Sequence, residues 1–119
     1  MKINSVFILG SYLTLIAYMI LIFYYAIIPL NIPVTLAFDS KRLLWHFLEH
    51  FIFGILLLNA VRNTQKSLKF GLSYSLLVEL IQLWAPTRVF DLFDLGANIL
   101  GLFAGLFTFS KFKKFLFFP

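Results

Sequence analysis

Four apolar runs, separated by short polar or proline-bearing segments, set out the chain. Val6 to Ile28 contains no charged residue, and Pro29 and Pro33 break its pattern. Leu43 to Val61 is the second run and carries His46, Glu49 and His50 near its start. Arg62-Asn63-Thr64-Gln65-Lys66 reads as a polar turn. Leu68 to Ala85 is the third run, stopped by Pro86, and Leu92 to Phe109 is the fourth. A bilayer is crossed by about 20 helical residues. The pattern predicts an all-α, polytopic membrane protein, with four transmembrane helices at about 6–28, 43–61, 68–85 and 92–109 in one bundle. The first run is too long for a signal peptide and no small-x-small cleavage pattern follows, so it is expected to be retained. At 119 residues the chain reads as one domain over 1–119.

Composition supports this reading. The chain is 61% hydrophobic with mean hydropathy +0.94, and its sixteen Phe against five acidic residues exclude a soluble domain with an ordinary surface. The absence of Cys excludes disulfides, thiolate catalysis and cysteine-ligated metal. The net charge of +5 comes from basic residues in short segments between the apolar runs, which suits membrane lipids with anionic headgroups and implies no nucleic-acid partner. Lys2, Arg62, Lys66, Lys69, Lys111, Lys113 and Lys114 fall on one side of the membrane, against Lys41, Arg42 and Arg88 on the other. Cytoplasmic loops are enriched in Lys and Arg, so both termini are expected in the cytoplasm. Phe115 to Phe118 is expected to lie in the interface.

The few ionisable residues inside the apolar runs carry the candidate chemistry, because a polar group in hydrocarbon needs a partner or a purpose. At 1.5 Å per residue, Glu49, Glu79 and Asn98 each lie roughly 10 Å in from the outer face. Asp94 and Asp91 step back toward the surface from Asn98. Arg42, His46, Glu49 and His50 follow i, i+4, i+7, i+8, one helical face. Glu79 and Gln82 are i, i+3, and Asp91, Asp94 and Asn98 are i, i+3, i+7. Ala97, Gly101 and Gly105 recur at intervals of four, a spacing that lets helices approach closely, and Gly71 and Ser75 precede Glu79 the same way. Glu49, Glu79, Gln82, Arg88, Asp94 and Asn98 are therefore expected to converge under the outer surface, with Arg88 pairing Asp91 or Asp94. Asp91 and Asp94 also suit a helix N-terminus, where carboxylates favour the dipole. Trp45 and Trp84 suit interfacial anchors.

The stretch Arg42-x-x-x-His46-Phe47-x-Glu49-His50, with Gly54 following, resembles the second-helix motif of the VanZ-like family. Glu79-x-x-Gln82 and then Pro86-x-Arg88-x-x-Asp91-x-x-Asp94-x-x-x-Asn98-x-x-Gly101-x-x-x-Gly105 resembles its later signature. The chain departs from the family at His50, where Tyr is frequent, and at Leu43, where a basic residue is common. The resemblance implies a bacterial cytoplasmic-membrane protein of the cell envelope. The family's founding member is associated with resistance to teicoplanin, a lipid-tailed glycopeptide antibiotic. By that analogy the polar positions would serve as structural or ligand-binding residues, engaging a lipid or lipid-linked envelope ligand, with no cofactor.

Two other readings stand beside it. His46-Phe-Leu-Glu49-His50 spells H-x-x-E-H, in which two His at i, i+4 ligate zinc and a Glu acts as base. A small membrane hydrolase acting on a lipid phosphate would use His46, Glu49 and Glu79 as catalytic candidates, with His46 and His50 as metal ligands. The other reading is an accessory subunit whose polar network holds shape inside a larger membrane complex.

Overall fold

The computed structural model describes residues 5–28, 40–84 and 92–116, with side chains through Lys111. It contains α1 (Ser5–Ile27), α2 (Ser40–Val61), α3 (Thr64–Ile81), a 3-10 turn (Gln82–Trp84) and α4 (Leu92–Leu116), and the described residues form no strand. Inter-helix pairs give the directions. Ser11 meets Asn59 and Tyr18 meets Glu49, so α1 and α2 are antiparallel. Arg42 meets Asp94 and His46 meets Asn98, both 52 residues apart, so α2 and α4 run parallel at a constant offset. α1, α2 and α4 are long and apolar enough to cross a membrane. α3 has 18 residues, carries Lys66, Lys69 and Glu79, and is the least apolar of the four on average. At about 1.5 Å per residue it still reaches roughly 27 Å, close to the thickness of a hydrocarbon core.

Three boundaries differ from the apolar pattern. α2 begins at Ser40, because Arg42 is held against α4 and extends the helix into what reads as loop. The turn between α2 and α3 is only Arg62-Asn63. Arg62 adopts φ 61, closing α2 in the left-handed conformation that commonly ends helices. Its N–H donates to Leu58 O at 2.8 Å and its Nε to Asn59 O at 2.7 Å. Asn63 caps α3, its side chain accepting from the Lys66 N–H at 2.9 Å, so Thr64 to Lys66 form the first helical turn. α4 continues past Phe109 to Leu116, through a stretch whose lysines are good helix formers. Of the expected interfacial tail, Phe115 and Leu116 are helical, and Phe117 and Phe118 lie outside the described residues.

The α2–α4 contact is the most extensive in the bundle, and glycine makes it possible. A Cβ added at Gly101 would collide with the carbonyl of Phe47, and one at Gly105 with the carbonyl of Phe51. From the other side, a Cβ on Gly54 would come 2.7 Å from Leu102 O. Backbones this close gain dispersion contacts that lipid would otherwise supply. Ala97 is only half-buried and lines an outer groove, so Gly101 and Gly105, more than Ala97, form the packing stripe. Gly71 of α3 receives the Leu102 side chain in the same manner. Phe53, Leu57, Leu102, Leu106 and Phe109 fill the interior below the polar end, each 4% exposed or less.

α1 is peripheral. Only Leu15, Ile22 and Ala26 are buried, a narrow seam, and the remaining apolar surface faces outward as a lipid-facing helix should. Its attachment relies on hydrogen bonds. Tyr18 donates to Glu49 O at 2.8 Å, Tyr74 donates to Met19 O, Gln82 Nε2 donates to Ala26 O at 3.3 Å and Asn59 Nδ2 to Ser11 Oγ at 3.3 Å. In hydrocarbon such bonds average about 0.6 kcal/mol each.

Candidate polar site

At the end where α2 and α4 begin, polar side chains from three helices form one chain. Arg42 Nε donates to Asp94 Oδ1 at 2.9 Å. His46, one turn further along α2, places Nε2 3.6 Å from Asp94 Oδ2 and Nδ1 3.1 Å from Asn98 Oδ1. Asn98 Nδ2 then donates to Glu79 Oε2 of α3 at 3.5 Å. The Asn98 amide donates to the carboxylate, so its oxygen faces His46 and accepts from Nδ1–H. Nε2 is then the ring atom facing Asp94, and a proton there makes that contact an ion pair. Asp94, Asn98 and Glu79 are all buried, Glu79 completely.

The helices dictate this order. Arg42 and His46 stand one turn apart on α2, and Asp94 and Asn98 stand one turn apart on the parallel α4. Each rung of one helix therefore faces a rung of the other. Asp94 lies in the first turn of α4, where its carboxylate also favours the helix dipole. Among the described residues, the arginine that engages it is Arg42 of α2. Arg88 and Asp91 lie outside the described residues.

His50 and Gln82 take other directions. His50 is fully buried against Phe53, with Nδ1 3.6 Å from Glu49 Oε1, and neither ring nitrogen has a hydrogen-bond partner among the described residues. Gln82 leaves the face of Glu79 to bind α1. The two histidines of H-x-x-E-H thus engage separate surroundings, His46 toward α4 and His50 toward Glu49 and Phe53. Among the described residues no three His, Asp or Glu side chains are placed to hold a metal ion. Trp45 and Trp84, both exposed, sit at this same end as anchors would.

Tyr18 and Tyr74 are polar residues that sequence reasoning passes over, as are Asn59 and Ser11. The two tyrosines lie near the middle of long helices, away from the interfacial belt where Tyr is usual, and that position is the available signal.

On the lipid-facing side of the α2–α4 pair runs an apolar groove of about 490 Å³, lined by Leu43, Leu44, Phe47, Phe93, Gly96 and Leu100 among others. Fold and site together define a membrane-embedded helical bundle with a buried polar chain crossing three helices near one face. The chain belongs to the VanZ/LLP1 family, whose sequence profile matches residues 12–114 and so takes in α1 as well as the polar helices. No curated protein and no solved structure matches it.

Proposed function

We propose that this VanZ-like protein sits in the bacterial cytoplasmic membrane with both termini inside, and engages a lipid or lipid-linked envelope ligand at its polar end. Through that ligand it influences susceptibility to teicoplanin-type glycopeptides. The observation that carries the reading is the chain from Arg42 through Asp94, His46 and Asn98 to Glu79. Burying an Arg and two carboxylates near a membrane face is costly, and such intramembrane groups commonly mark function. Arginine presents forked donors suited to phosphate, and the apolar groove beside the same helix pair suits an acyl chain.

The test joins phenotype to binding. Deletion of the protein and Glu79→Gln are both expected to shift teicoplanin susceptibility several-fold and to reduce retention of envelope lipid by purified protein. Unchanged susceptibility together with unchanged lipid retention would remove the proposal.

A further inference from the structure

The opposite end of the bundle holds a cleft built from different residues. Val61 at the end of α2 and Lys66, Lys69, Phe70 and Ser73 of α3 line an open surface cleft of about 460 Å³. The four α3 residues follow i, i+3, i+4, i+7 and share one face. Both lysines are exposed, and neither has an acidic partner among the described residues. None is close in sequence either, since no Asp or Glu occurs between Glu49 and Glu79 or after Asp94. The Asn63 cap and the short Arg62-Asn63 turn fix Lys66 at the membrane boundary.

An apolar path leaves this cationic mouth. Phe70 stacks on Tyr74 with ring centroids 6.4 Å apart and planes 2° from parallel. Tyr74 in turn lines a groove of about 280 Å³ with Ile16, Met19, Ile20 and Phe23 of α1. From Lys66 to Tyr74 the path descends roughly 12 Å into the bilayer. A two-cation mouth at headgroup level opening onto an aromatic and aliphatic track is complementary to a molecule with an anionic head and a hydrocarbon tail.

We propose that this cleft is a binding site for an anionic phospholipid of the leaflet facing the α2–α3 turn. Lys66 and Lys69 hold the phosphate, and an acyl chain passes Phe70 and Tyr74 toward α1. Each lysine close to an anionic lipid contributes roughly fivefold in affinity.

Native mass spectrometry of the protein released from neutral detergent, titrated with phosphatidylglycerol, with phosphatidylcholine of the same chains, or with inorganic phosphate, tests it. Phosphatidylglycerol is expected to bind roughly 25-fold more tightly than phosphatidylcholine, the product of the two lysine contributions. Lys66→Gln with Lys69→Gln should abolish that preference, while Lys111→Gln, at the same end but outside the cleft, should preserve it. Both lysines are exposed, so the double variant should fold, and an unchanged melting temperature in detergent verifies this. Equal binding of the two lipids overturns the site, as does an undiminished preference in the double variant. An equal loss in Lys111→Gln assigns the effect to total charge and also overturns it. Inorganic phosphate binding as tightly as the lipid overturns the lipid assignment.

Discussion

Arg42 and Asp94, 52 residues apart, meet at 2.9 Å where two parallel helices begin side by side. Their side chains are 19% and 7% exposed, so the pair is shielded from water on most sides. Arg42→Gln or Asp94→Asn alone is expected to cost about 3 kcal/mol, because each breaks a part-buried, hydrogen-bonded ion pair. The double variant should lose less than the sum, with a coupling of about 1–3 kcal/mol. Denaturant unfolding in detergent of the parent, the singles and the double measures this, and strictly additive losses would deny the coupling.

The glycines make a contrast within one helix. Gly101→Ala and Gly105→Ala should each cost about 1–3 kcal/mol, since the added methyl meets a carbonyl of α2 that cannot retreat without moving the helix. At Gly96 an added Cβ meets nothing within 4 Å, so Gly96→Ala should gain about 0.5–1 kcal/mol from helix propensity. Melting temperatures of the three variants check the order.

The two histidines should separate just as clearly. His50→Phe replaces a buried ring whose nitrogens have no hydrogen-bond partner among the described residues, so a change below about 1 kcal/mol is expected. His46→Phe removes the link between Asp94 and Asn98 and should cost about 2 kcal/mol. Equal losses at both positions would argue for a shared role, such as the paired metal ligation that H-x-x-E-H suggests.

Attachment of α1 can be read locally. Tyr18→Phe and Tyr74→Phe each delete one bond to a backbone carbonyl and should cost about 0.6–1.7 kcal/mol. Hydrogen exchange should accelerate in α1 before it does in α2 or α4. Uniform acceleration across all helices would show that α1 does not detach on its own.

Much of this was legible from spacing. The i, i+4 steps at Arg42–His46 and Asp94–Asn98 put each pair on one face, and α2 and α4 begin at the same membrane face. The rungs therefore had to meet at similar depth. Small residues at intervals of four marked the close contact, and the structure explains why Gly101 and Gly105 matter there while Ala97 does not. The Arg42–Asp94 pair was not legible, because it depends on the rotation of α2 about its axis; the expected Arg88 contact lies outside the described residues. Three of the α1 tethers escaped because their acceptors are backbone carbonyls, which every residue carries and no side-chain pattern reveals.

The Leu102 side chain seated on Gly71 has an electrical consequence. On α3 it lies between the buried hydroxyls of Ser67 and Ser75, so the row of polar groups descending from Glu79 is interrupted by hydrocarbon before the far face. Among the described residues, the Leu102 side chain therefore closes the polar end off from the far face. A bilayer carrying many copies of this protein should remain an insulator, holding its proton gradient even though each copy keeps charged groups within its depth.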